Sequence, residues 1–376
     1  MRLLFTAIAA TTVAVIADTT TNRPWNYAST TPSNFVSPCA CSNYSNIWLD
    51  VMLVIDSSTA MTSHGIEELT NYLETAFLRM SVGQTKGHFT RIGAVGYGDN
   101  ATLLHPLTDF QSVDDLLSRF SPKMDGSGGS NIESAIRLAQ VQFESGGHRA
   151  NVKKVLVIAA SHYEPGASED PVQVAQQFRE DGGVIITLEY VQTHGASVPV
   201  LKSLATPCYS LSNSNEDLRV NDLLNMFCNA NCFCYTNWNP YATDPVCPFP
   251  DGGCYYPVTI PAAEVLAKRY CENHNGGMLV KIEDAAKGVF VNSLFNNKNE
   301  KTWIGLELSR SLFAYLWEDG SQVGSYQPFA THNMSIACVS QGQGTGFNSN
   351  WYPEDCYADY MYTCQATPCS ADKLCP

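Results

Sequence analysis

Thr302-Trp303-Ile304-Gly305-Leu306 is the run on which the fold of this chain turns. It lies in a segment from Cys254 to Cys364 that holds five half-cystines and a late tryptophan, Trp351, five residues before Cys356. Ordered pieces surround it: Cys254-Tyr255-Tyr256, Ala267, Cys271, Gly277-Met278-Leu279-Val280 with Ile282, Trp317-Glu318-Asp319-Gly320-Ser321, Cys338 and Tyr362-Thr363-Cys364. Beyond Cys247 the composition is aromatic, Gly, Asn and closely spaced Cys, with helical patterns at 262–273 and 284–296 and short strands after them. That mixture predicts a disulfide-rich α+β domain over 247–365, held by bridges more than by a large sheet.

Upstream the pattern differs. At 376 residues the chain exceeds one ordinary core, which points to two domains. Val51-Met52-Leu53-Val54-Ile55 reads as a strand covered on both faces, and runs at 91–97, 154–159 and 183–191 have the same length and β-branched content. Helical patterns at 66–80, 131–143, 171–178 and 218–227 alternate with them. This order predicts an α/β doubly wound domain over 47–228 with a mostly parallel sheet. A Cys- and Pro-containing connector at 229–246 and a polar tail at 366–376 complete the division.

The amino terminus bears on compartment. Arg2 precedes an apolar stretch, and Val15-Ile16-Ala17 offers small residues for cleavage, so 1–17 reads as a signal peptide and 18–46 as a polar leader or linker. No later stretch has the apolar length of a membrane span, so a secreted, extracellular protein is expected. The 14 cysteines are an even set that an oxidising compartment converts to bridges. A net charge of −14 without a basic stripe excludes nucleic-acid and anionic-membrane binding. Asn43, Asn100 and Asn333 head glycosylation sequons and mark expected exposed loops.

In a doubly wound sheet, ligands gather beyond the carboxyl ends of the strands. Asp56-Ser57-Ser58-Thr59-Ala60 follows the first strand, and Gly128-Gly129-Ser130-Asn131 precedes a helix. A carboxylate with hydroxyls is the oxygen set a hard divalent cation takes. This domain resembles the von Willebrand factor A domain, whose adhesion site uses Asp-x-Ser-x-Ser, a second-loop hydroxyl and a later Asp. Asp56, Ser58 and Ser130 match three of those positions. Ala60 replaces the second serine, and Ala160-Ser161 stands where the resemblance implies Thr-Asp, so the metal set is degenerate and no tight cofactor is expected. Asp125-Gly126-Ser127-Gly128-Gly129 is not a hydrolase serine turn, and no nucleophile with its base is legible, so no enzyme is expected.

The second half resembles a C-type lectin-like domain on the motifs quoted above. The resemblance implies Cys271–Cys364 and Cys338–Cys356 bridges, with Cys247–Cys254 as an extra amino-terminal pair, each worth about 2 to 4 kcal/mol. Calcium-dependent members use Glu-Pro-Asn or Gln-Pro-Asp and Trp-Asn-Asp tripeptides. Here Gln327-Pro328 falls too early, because Phe329 lies where the family has a core aromatic, and Trp351-Tyr352-Pro353 replaces the second tripeptide. Trp351, Tyr352, Glu354 and Asp355 are the candidate ligand-binding loop, with core packing as the plainer role for Trp351. Outside this frame the expected pairs are Cys208–Cys228, Cys39 and Cys41 with Cys232 and Cys234, and Cys369–Cys375.

The domain order is similar to that of secreted nematode C-type lectin proteins, which implies recognition of microbes in innate defence. The expected partners are glycan or protein ligands. An extracellular adhesion or matrix protein is the alternative.

Overall fold

The computed structural model describes residues 37–163, 170–192, 198–215, 218–296, 300–331, 333–343 and 349–375. The expected signal peptide at 1–17 and most of the leader lie outside the described residues.

The continuous apolar run at Val51 is buried throughout because its alternate side chains enter two cores. Leu49, Val51, Leu53 and Ile55 face one, and Met52 and Val54 the other. The elements in order are β1 (Leu49–Asp56), α1 (Thr62–Phe77), β2 (Arg91–Tyr97), β3 (Ala101–His105), α2 (Val113–Arg119), α3 (Ile132–Gln142), β4 (Lys153–Ala160), α4 (Val172–Glu180), β5 (Val184–Glu189), β6 (Ser210–Ser212) and α5 (Val220–Ala230). The sheet order is β3-β2-β1-β4-β5-β6, parallel except for the β2–β3 hairpin pairing. Helices α1, α2 and α5 cover one face, and α3 and α4 the other. The doubly wound expectation holds. β3 and α2 were not anticipated: β3 is a half-exposed edge strand with no buried side chain, so hydrophobic patterning carries no signal for it.

The second sheet is built from β7 (Asn239–Pro240), β8 (Cys254–Ala262), β9 (Met278–Leu279), β10 (Thr302–Ser309), β11 (Ala314–Trp317), β12 (Cys338–Gln343), β13 (Ser349–Glu354) and β14 (Tyr360–Ala366), with α6 (Glu264–Asn273) and α7 (Ala285–Ser293) between its strands. Its path is β13-β12-β10-β14-β8-β7, with β11 on β10 and β9 on β14. The Thr302–Leu306 run is the centre. Trp303, Ile304 and Leu306 are fully buried, and Trp303 Nε1 donates to the Ala262 carbonyl at 2.8 Å. Gly305 is needed because a Cβ there would lie 2.7 Å from the Leu279 carbonyl oxygen.

Seven disulfides join the fourteen cysteines. Cys271–Cys364, Cys338–Cys356 and Cys369–Cys375 are as expected. The other expectations need correction. Cys247 bonds Cys208 rather than Cys254, and Cys254 bonds Cys234. The reason is β7: Pro240 pairs with Cys254 across the sheet, which brings Cys234 to that edge and leaves the Cys247 loop to return to the first domain. Cys228 bonds Cys41 rather than Cys208, so of the expected pairing of Cys39 and Cys41 with Cys232 and Cys234 the Cys39–Cys232 bridge holds and Cys41 goes elsewhere. Cys228 lies in the last turn of α5 and Cys232 just past its Asn231 cap. Cys39 sits in the turn closed by the Ala40 amide on the Ser37 carbonyl, and Cys41 follows it, so both face this end of α5.

The segment 229–246, set aside above as a connector, therefore contains a strand of the lectin-type sheet, and Trp238 packs in its core. The carboxyl-terminal tail also packs. Cys369 exchanges backbone hydrogen bonds with Phe233, and Trp48 Nε1 donates to the Ser370 carbonyl at 2.9 Å.

Candidate functional site

Asp56 ends β1, where parallel pairing with β2 and β4 places the loops of three strands together. Its carboxylate is fully buried and engaged: Oδ1 accepts from the Ser58 amide at 3.0 Å, and Oδ2 from the Ser161 amide at 3.2 Å and hydroxyl at 2.8 Å. Ser161, at the position of the second carboxylate, is thus a donor to the first. Ser130 Oγ donates to the His162 carbonyl at 3.0 Å, whereas Ser58 Oγ is buried without a hydrogen-bond partner. Burial and then the Asp56 charge push the Tyr97 hydroxyl well above its usual range, and a Ser130 hydrogen bond opposes them. Sequence reading missed Asp99 and took Asp125 only as part of a loop before the Ser130 helix; both stand in the same loop cluster. Asp99 Oδ1 accepts from the Gly129 amide at 2.7 Å and Asp125 Oδ1 from the Ser127 amide at 2.8 Å. The Asp125–Gly129 segment is an anchored loop, since Ser127 O accepts from both Thr59 N and Thr59 Oγ1.

The candidate lectin loop divides by strand alternation. On β13, Trp351 and Pro353 point inward, and Tyr352 and Glu354 lie on the other side. Trp351 is fully buried, with ring centroids of Trp317, Tyr326 and Phe329 at 5.6, 5.7 and 5.3 Å in edge-on geometry. As a ligand-stacking residue it is therefore corrected: its ring is the hub of the core. Phe329 is a core aromatic, and the Pro328 carbonyl accepts from the Trp351 amide at 2.9 Å. Tyr352 is half-buried under Lys301, whose Nζ lies 4.4 Å from the ring centroid and also pairs with Glu354. Asp355 is exposed and accepts from the Tyr357 amide at 3.1 Å, a turn-forming role. Asn43, Asn100 and Asn333 are all exposed.

A further group was not singled out from sequence. Glu264, Glu307 and Cys338 bring their polar atoms within 4.8 Å of one another, beside Lys268. The signal was legible: Glu264 falls on the same helical stripe as buried Ala267 and Cys271, a carboxylate at a core-facing position.

The von Willebrand factor type A domain model matches residues 50–225 and the C-type lectin domain model residues 265–366. Human lithostathine-1-beta is 34% identical over 119 residues, covering 30% of this chain and 70% of that protein. The chain therefore belongs to the C-type lectin domain family, with a von Willebrand factor A domain ahead of the lectin domain. C-type lectin domain-containing protein 160 of Caenorhabditis elegans is 23% identical over 360 residues, which is 90% of this chain; the chain spans 56% of that protein's length. Among solved structures, proximal thread matrix protein 1 from the mussel byssus is 19% identical, covering 51% of this chain and 48% of that one, with a TM-score of 0.42. Both domains are of the carbohydrate-binding or adhesive kind, and among the described residues no helix is long and apolar enough to cross a membrane.

Proposed function

We propose that this chain is a secreted, non-catalytic recognition protein that binds carbohydrate on microbial surfaces without the divalent cation its two domain families use. The observation that carries the reading is Ser161, whose hydroxyl donates to Asp56 Oδ2 at 2.8 Å. A divalent ion there would have to displace that proton donor, and Ala60 offers no side-chain oxygen in return. Asp56, Ser58 and Ser130 supply one carboxylate and two hydroxyls, and the neighbouring Asp99 and Asp125 carboxylates are engaged by the Gly129 and Ser127 amides, a set that fits the ion poorly. The lectin loop is parallel: Tyr352 and Pro353 hold positions that need acid and amide oxygens, and neither supplies one. Secretion is supported by the apolar segment after Arg2 and by the paired cysteines.

The test is a screen of purified chain against glycans and bacterial surfaces, with and without chelator. Equal binding in both is expected, and loss on chelation overturns the reading. Adhesion to protein is the second reading, favoured by the tip between β10 and β11, where Leu312 and Phe313 are 64% and 82% exposed. Retention on a protein matrix unaffected by competing sugars is its expected signature.

A further inference from the structure

A cleft of about 520 Å³ opens between α6, the end of β10 and the Cys338–Cys356 bridge, with Glu264, Val265, Lys268, Glu307 and Leu308 in its walls. At its floor Glu264 is only 3% exposed, yet no N–H or hydroxyl group donates to its Oε1, and its one carboxyl neighbour, Glu307, can share only a proton with it. Lys268 Nζ stands 3.8 Å from that oxygen, too far for a hydrogen bond, because it is committed to Glu307 Oε1 at 3.0 Å. Asp50 shows what a buried carboxylate in this protein otherwise receives: Oδ1 accepts from Arg149 Nε and Oδ2 from His148 Nδ1 and the Arg149 amide, each at 2.8 Å. Glu264 lacks that set.

Charge points the same way. Glu272 and Arg269 stand with Lys268 on α6, Glu307 on β10, and Glu318 in the turn after β11, so acids outnumber bases around Glu264. Burial, then the charge of Glu307 and a hydrogen bond to it, push the Glu264 carboxyl up to about 8, against the pull of Lys268. A proton therefore fills the missing positive charge at neutral pH. A metal is a poor substitute. Cys338 is in a disulfide and supplies no thiolate, the Ala337 carbonyl already accepts from the Leu308 amide at 2.8 Å, and the two remaining carboxylates fall short of the roughly six to eight oxygens calcium takes. The rim is apolar instead, formed by Val265, Leu308 and the disulfide.

We infer that this cleft is a binding site for an alkylammonium group, a lysine side chain of a partner polypeptide, with its ammonium on Glu264 Oε1 and its methylene stem along the apolar rim. On binding, the ammonium donates to Oε1 and the Glu264 carboxyl proton leaves to solvent, so one proton is released per ligand. The site stands apart from the glycan reading, and neither result decides the other.

The test is calorimetric titration of the full chain with Nα-acetyl-lysine amide in buffers of differing ionisation heat. Affinity should rise about tenfold per pH unit up to about pH 8, with proton release, since the ligand competes with the proton. Glu264→Gln should weaken binding about tenfold and abolish the pH dependence, as expected for loss of a charged hydrogen bond. Glu307→Gln, at a side chain 41% exposed, keeps the test valid if the first variant fails to fold: it should weaken binding and move the pH onset lower. No binding by the wild type, or pH-independent binding, overturns the proposal. So does glucosamine binding in preference to the lysine probe, or calcium chloride competing with it.

Discussion

Trp351 and Tyr352 are sequence neighbours with opposite roles, because a strand sends successive side chains to opposite faces. The Trp351 ring meets three other aromatic rings in the core, while Tyr352 lies under the Lys301 ammonium. Truncating the first should cost stability and truncating the second little. Trp351→Ala is expected to destabilise by about 3–5 kcal/mol. Tyr352→Ala should stay within about 1 kcal/mol, the size of an exposed cation–π contact. Urea unfolding followed by circular dichroism measures both, and a similar loss for the two would contradict the division. From the letters alone core packing was the plainer role for Trp351 and Tyr352 was left open, since burial depends on which partner strands lie above and below.

At the scale of elements, the end of α5 is the anchor of the first domain. Cys228 and Cys232 hold Cys41 and Cys39, closing chain separations of 187 and 193 residues. Loops this long lose much unfolded-state entropy when closed, so replacing either pair by alanines is expected to cost about 2–5 kcal/mol, read from the shift in denaturation midpoint. A change near zero for both pairs would show that the helix packing alone fixes the amino terminus. The parallel strands and their helices were legible because buried strands carry continuous apolar runs. Edge strand β3 and the two-residue β7 were not, since their places in the sheets come from backbone pairing rather than side-chain burial.

For the whole molecule, the position of β7 moves the start of the lectin domain back to about residue 233. Trp238 and Cys234 belong to its core and its sheet edge. A fragment of residues 233–376 carrying Cys247→Ser is therefore expected to fold with four bridges, Cys234–Cys254, Cys271–Cys364, Cys338–Cys356 and Cys369–Cys375. A fragment of residues 247–365 leaves Cys254 without Cys234 and should mispair. Mass spectrometry with thiol alkylation distinguishes them, and clean folding of the shorter fragment would contradict the revised boundary. The covalent tie from Cys208 to Cys247 and the docking of Phe233 on Cys369 explain why the junction is ordered rather than a free linker.

The sequence by itself determined the two architectures, through local periodicity and ordered motifs: apolar runs alternating with helices before Cys228, and Thr302–Leu306 among spaced cysteines after it. It also supplied the residues on which the proposed cation independence rests, Ala60, Ser161, Tyr352 and Pro353. Only the tertiary structure decided that Ser161 donates to Asp56, that Cys247 turns back to Cys208, and that Glu264 lies at the floor of a cleft short of one positive charge. Those are contacts between residues distant along the chain, and their energies depend on burial and geometry that no local pattern encodes.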